Sequence, residues 1–508
     1  MTSDEEPPRL AHRVMRGVEL NLLGQAASFA AALLLTPWVV HGLGTEGYAL
    51  YTLLGTALGY LLLLTGGTGI GGQRFTATLL GRGDKGGVSG LLRYSLTLHI
   101  AAALLGAAAL WLGRGAIAAA FIDPQGRIAE RAPFVVSCAA AAALPSFLLQ
   151  FCLHALYGAQ NFPAYNLLRA LESAATLAAA ALALWGGGGL RMVALSFVAV
   201  QGALALLSLF LARPLLAPKP VRSERQRKDF LLFSAKSWVG QVFWMLMYQG
   251  DRIVIGALLP LSQLGFYAVS AALARKFNVL CGAVADSVLP MMSELHGRGE
   301  DARLRRLYLK ATEVSLFIVL PLSVLSFVLV PQFMTLWLGP EFSHRGTWPF
   351  RWLLLANFAY LATQLPHYAA LAKGAPEYTG LQQGAKTALL FLTWSLLIPR
   401  LGILGAALGL AFAEWAITPF FLAYAHRKLF GLGWWEYFTQ ACWRPCVAGL
   451  GFAALGLFSH SFIGSWLGLC SFGASGLALF YALGYRLLDA DAKKLLKGWA
   501  EKKLHLRP

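Results

Sequence analysis

Long blocks of hydrophobic residues, separated by short polar connections, dominate the chain. A helix that crosses about 30 Å of hydrocarbon needs roughly 20 apolar residues, and on that measure about fourteen spans are expected. They cover residues 18–41, 48–65, 91–112, 134–157, 167–184, 192–212, 230–259, 264–291, 312–338, 350–372, 381–398, 403–425, 445–460 and 463–486. The expected fold is an all-α polytopic membrane protein, built as two six-helix bundles with a C-terminal helix pair.

The polar positions inside the blocks carry the functional signal. Two adjacent spans hold Asp251, Arg252, Arg275, Lys276 and Asp286. Ionised groups at bilayer depth are costly and are tolerated where they face a bundle interior or a wet cavity. At about 100° per residue, Ser237, Gln241, Trp244, Tyr248, Asp251 and Arg252 share one arc, while Val239, Phe243, Leu246 and Ile253 fall opposite. On the next span Arg275, Asn278, Gly282 and Asp286 recur at i, i+3, i+7 and i+11. A cavity lined by cations and aromatic rings is expected, with ion pairing of Arg252, Arg275 or Lys276 to Asp251 or Asp286 as the structural alternative.

In the fifth span Asn166, Arg169, Ser173 and Thr176 share a face beside Glu172, which extends the polar lining to the first bundle. Arg169 also lies close enough to the span's end to reach lipid phosphates. Asn21, Gln25 and Ser28 line the first span, and Gln364, His367 and Glu414 interrupt later ones. Each is suited to an interhelical hydrogen bond, and the last three also to a coupling proton or cation.

A composition of 57% hydrophobic and 13% charged residues agrees with the membrane assignment. The formal net charge of +18 does not point to nucleic acid, because the Lys and Arg residues sit mostly between spans instead of on a soluble basic face. Alternate connections differ sharply in Lys and Arg content. By the positive-inside rule, the rich set and both termini face the cytoplasm.

The expected organisation is a tail over 1–17, a bundle over 18–212, a basic linker over 213–229, a second bundle over 230–426, a helix pair over 427–487 and a basic tail over 488–508. The linker carries Pro214, Pro218 and Pro220 and reads as a hinge. The six cysteines lie in or beside apolar spans, so no disulfide framework is expected. Cys442 and Cys446 lack further ligands at metal-binding spacing. Gly67-x-Gly69-x-x-Gly72 follows a membrane span instead of a strand and reads as a loose turn. No ATPase-type phosphate loop is present, and neither catalytic residues, a metal nor a cofactor is expected.

A weak internal repeat supports the two-bundle division. Gly44-Thr45-Glu46-Gly47-Tyr48-Ala49-Leu50-Tyr51 follows the first span as Pro260-Leu261-Ser262-Gln263-Leu264-Gly265-Phe266-Tyr267 follows the seventh. Gly47-Tyr48, Asp251-Arg252 with Ile255-Gly256, Leu264-Gly265-Phe266-Tyr267 and Pro290 with Ser293-Glu294 resemble, in order and spacing, the polysaccharide-transporter branch of the multidrug/oligosaccharidyl-lipid/polysaccharide (MOP) flippase superfamily. That branch comprises the Wzx-like O-antigen flippases and their exporter relatives. The neutral Thr65-Gly66-Gly67-Thr68-Gly69 departs from the acidic residue usual there, whereas Arg74 matches the basic position that follows.

The resemblance implies a bacterial inner-membrane flippase that moves an undecaprenyl-diphosphate-linked oligosaccharide by alternating access, with Na or H as a possible coupling ion. Arg252, Arg275 and Lys276 suit a diphosphate, and Trp244 and Tyr248 offer faces for sugar rings. A cation-coupled multidrug/toxin antiporter of the same superfamily is the near alternative, and a membrane glycosyl polymerase or ligase the one from another class.

Overall fold

The computed structural model describes the backbone of residues 7–121, 129–221, 223–373, 377–450, 464–488 and 493. Side chains are described for 28–119, 130–221, 223–277, 288, 291–292, 295–370, 373, 380–450, 464–488 and 493. Every regular element among these residues is helical.

The first helix, α1, runs Pro7–Leu61 and takes in the first two expected spans. It breaks at Gly44, whose φ of 70° and ψ of 173° no helix contains. A side chain there would be strained, so glycine permits the chain to turn between spans. After a short turn, Gly66 and Gly67 take left-handed φ values of 58° and 76°. The loose turn expected over 67–72 is therefore confined to two glycines. Helix α2, Thr68–Gly81, begins at once and is an element the hydrophobic blocks did not announce.

Then follow α3 (Lys85–Phe121), α4 (Ala132–Gly158), α5 (Phe162–Trp185), α6 (Leu190–Leu216) and α7 (Glu224–Leu258). Ser223 caps α7 by accepting a hydrogen bond from Gln226 N at 3.3 Å. Helices α8 (Leu261–Gly297), α9 (Asp301–Leu338), α10 (Pro340–Ala372), α11 (Glu377–Leu401) and α12 (Ile403–Ala425) continue the series. The short α13 is Trp434–Tyr437, and residues 443–450 open the thirteenth expected span, whose remainder lies outside the described residues. The last long helix, here α14, is Trp466–Leu487. Among the described residues nine helices are long and apolar enough to cross a membrane, so the protein is a multi-pass membrane protein.

The chain divides into two compact units, one through Gly265 and the other from Phe266. In the first, α4 is the central helix and packs on α3 and α6, while α1 packs on α5. Ala139, Ala140, Ala142 and Ala143 are all buried along α4, which lets neighbouring backbones approach closely without help from water. Helix α7, which opens the expected second bundle, lies in the first unit and packs on α1, α2 and α3. Gly67 makes this fit possible, because a Cβ there would collide with the Ser234 carbonyl. In the second unit α12 packs on α10 and α11, and α9 packs on α10 and α14. The Phe317 and Phe480 rings meet at 5.7 Å across the α9 and α14 contact.

Candidate functional site

Helix α7 brings the first group of expected site residues against α1. Asp251 is buried, at 3% exposure, and its Oδ1 accepts from the Arg252 backbone N at 2.8 Å. The Arg252 guanidinium is half-buried and donates from Nη1 to Thr56 Oγ1 at 3.0 Å. Among the described residues its buried Nε has no acceptor. One turn away, Tyr60 donates to the Met245 carbonyl at 3.4 Å, and Trp238 Nε1 donates to the Leu63 carbonyl at 2.7 Å. These contacts tie α7 to the second half of α1 and to the short turn after it along a mixed polar seam.

The expected arc on α7 is divided. Gln241 and Tyr248 are half-buried, whereas Trp244 is 53% exposed, comparable with Val239 at 51%. The Trp244 and Tyr248 rings lie 5.6 Å apart, so the two aromatic faces remain together. Met245, Met247 and Ile255 are buried along the same helix.

A cavity of about 290 Å³ opens beside this seam. Its walls come from α1, α3 and α4, with Ile253 of α7 contributing. Thr56 and Tyr60 are its polar side chains; the remainder is Leu, Ile, Val and Ala.

On α5, Asn166 is buried and Arg169 is half-exposed. Arg169 Nη1 lies 3.4 Å from Glu172 Oε2, and Gln150 Nε2 of α4 donates to Glu172 Oε1 at 3.1 Å. Arg169 thus joins a chain of polar contacts between α4 and α5. His99 and His154 are further interior polar groups that the residue pattern did not single out. His99 Nδ1 pairs with the Ser95 carbonyl at 2.8 Å, and a Cβ at Gly69 would strike the His154 ring.

In the second unit Arg275 and Lys276 are half-buried on α8. The Asp286 side chain lies outside the described residues, as do those of Asn21 and Gln25. Glu414 of α12 is buried against Lys386 of α11, with Oε2 and Nζ 2.6 Å apart and side-chain exposures of 1% and 0%. Lys386 was not among the expected site residues, although a lysine inside the 381–398 block and a glutamate inside the 403–425 block were the visible signal. His367 Nε2 meets Gln382 Oε1 at 2.5 Å, which joins α10 to α11. A second buried acid, Glu313 of α9, lies 3.3 Å from Lys310 and 3.4 Å from Arg444. Among the described residues no cluster of His, Cys, Asp and Glu is arranged to hold a metal ion.

Residues 93–345 match the family model described as polysaccharide biosynthesis protein. An uncharacterized membrane protein of Bacillus subtilis (strain 168), EpsK, is 26% identical over 348 residues, which is 64% of this chain and 65% of that protein. The chain therefore spans just under two thirds of the length of this curated relative. The lipid II flippase MurJ in an inward closed conformation superposes with a TM-score of 0.68 at 14% identity, over 92% of this chain and 99% of that one. An inward-facing multidrug resistance MATE family transporter gives a TM-score of 0.64 at 16% identity, over 81% and 98%. A MOP superfamily transporter from Pyrococcus furiosus, described by the reversed polarity of its binding pocket, gives 0.57 at 15% identity, over 82% and 94%. The chain has the fold of the MOP superfamily transporters and, over residues 93–345, the sequence pattern of the polysaccharide biosynthesis protein family.

Proposed function

We propose that this protein is a flippase that carries an undecaprenyl-diphosphate-linked oligosaccharide across a bacterial inner membrane by alternating access, in the assembly of a cell-surface polysaccharide. The observation that carries the reading is the coincidence of a polysaccharide-family sequence pattern with a transporter fold whose α7 holds a half-buried arginine on a neutral partner. A guanidinium donating to Thr56, with Nε still available, suits an incoming phosphate oxygen better than a cationic drug. Pocket polarity within this fold varies, as the Pyrococcus furiosus transporter illustrates.

In this reading Arg252, Arg275 and Lys276 recognise the diphosphate, Trp244 and Tyr248 take sugar faces, and Gln241, Asn166 and Arg169 complete the polar lining. Both termini are cytoplasmic in this reading. Asp251, Asp286 and Glu414 are assigned in this reading to ion coupling or to holding the cations in place.

The test is paired: the amount of membrane-inserted protein and the delivery of lipid-linked sugar to the outer leaflet are both measured for Arg252→Ala and Arg252→Lys. A charge-assisted contact of roughly 1.5 to 3 kcal/mol predicts about a tenfold to hundredfold loss of affinity in the alanine variant at normal protein levels, with partial rescue by lysine. Normal delivery by the alanine variant at limiting substrate removes Arg252 from recognition. Export of cationic drugs with no effect on sugar delivery would favour the antiporter.

A further inference from the structure

We propose that the cavity among α1, α3 and α4 seats the head-proximal part of a single prenyl-type lipid chain, whose phosphate or diphosphate is held at Arg252. The inference deepens the flippase reading and rests on it for the identity of the lipid. Four observations converge on it. The cavity is about 290 Å³, and its lining is apolar apart from Thr56 and Tyr60. Thr56, which lines the wall, is also the hydroxyl that accepts from Arg252 Nη1 at 3.0 Å. Ile253, the next residue in the chain, lines the wall itself. The buried Arg252 Nε points to no acceptor among the described residues. A cation with donor capacity in hand therefore stands one hydrogen bond from a greasy chamber.

Size restricts the occupant. A dry engineered cavity of about 150 Å³ holds one benzene, so this one takes about ten to twelve carbons. That is about two isoprene units of one chain and too little for both chains of a phospholipid. A lipid tail in a bilayer is already in hydrocarbon, so the chamber supplies fit and not a hydrophobic driving force. Discrimination falls on the head group, where the Arg252 guanidinium donates to phosphate oxygens, the Thr56 and Tyr60 hydroxyls already donating to the Thr52 and Met245 carbonyls. A free phosphate would satisfy the arginine and leave the chamber unused, so the proposal demands a ligand with both parts.

The full-length protein in neutral detergent is exposed to geranyl diphosphate bearing a diazirine at its hydrocarbon tip, irradiated, and digested for mapping. The expected attachment is to residues 50–61, 110–118 or 135–139. Unlabelled geranyl diphosphate should compete, while inorganic diphosphate and geraniol at the same concentration should compete at least tenfold less well. Ala139→Phe and Val136→Trp, which fill the chamber, should each lower labelling about tenfold, and Arg252→Gln should weaken binding about tenfold to hundredfold. Attachment confined to other segments of the wild-type protein overturns the proposal, and so does equal competition by inorganic diphosphate. Since mapping uses the wild-type chain, it holds even where a filled variant fails to fold. Labelling at the chamber without sugar-lipid transport would sink the flippase reading and keep the seat, and transport with no labelling there would do the reverse.

Discussion

The Lys386 and Glu414 pair offers the sharpest test of how the second unit is held together. Replacing Glu414 with Gln leaves an ammonium at 0% exposure beside a neutral amide, 2.6 Å from where its counter-ion stood. Breaking a buried pair by removing one partner costs about 3 to 5 kcal/mol, because the remaining charge is neither hydrated nor neutralised. The low end applies here, since a chain unfolded within a bilayer finds substitute partners and polar contacts in membranes are worth less than their burial suggests. We therefore expect about 3 kcal/mol for Glu414→Gln and a similar loss for Lys386→Met, equivalent to a shift of about 150-fold in the folding equilibrium. The double variant removes both charges, so it should recover about 2 kcal/mol or more relative to the sum of the single losses. The assay is a double-mutant cycle on the purified protein, with unfolding followed by denaturant titration in mixed micelles. Single losses below about 1 kcal/mol, or additivity within about 0.5 kcal/mol, would refute the reasoning that the two charges neutralise one another in a site closed to water.

Gly67→Ala should destabilise the first unit by about 1 to 3 kcal/mol, since the new methyl group meets the Ser234 carbonyl at a left-handed φ; Gly55→Ala, with open space around it, is the control and should be neutral or better by thermal shift. Arg169→Ala should cost less than about 1 kcal/mol, because its pair with Glu172 is half-exposed, so a larger loss of sugar-lipid delivery at unchanged melting temperature would assign Arg169 to ligand. Ser223→Cys, at the α7 cap, should resist a membrane-impermeant thiol reagent applied to intact cells and react in inverted vesicles. Efficient labelling from outside would reverse the topology.

The spans were legible because a membrane helix must carry its own apolar length, and length is written in single residues. The break at Gly44 falls between the two blocks it divides, and the buried Asp251 stands where an ionised residue in an apolar block demanded a protein interior. Helix α2 was not legible, since its four glycines over 69–81 weaken both periodicity and propensity, and its place is set by α4 and α7 packing on its buried face. Trp244 exposes the limit of an angular projection: a helix wheel says which residues share a side but not which neighbour covers it. The same limit hid Lys386. Its charge was visible inside an apolar block, but its meaning depends on Glu414, 28 residues later on another helix.

The distinction orders the chemistry of this protein. Where a buried charge is answered by an opposite charge, as at Lys386 and Glu414, the two groups neutralise one another across the contact of α11 with α12. Where a cation is answered by a hydroxyl, as Arg252 is by Thr56, the desolvation of the guanidinium is offset in part and its Nε is left without an acceptor among the described residues, the feature on which the proposed anion position rests. Charge complementarity, more than burial, separates these two contacts, and it is at the second that the proposed anionic lipid would gain most by binding.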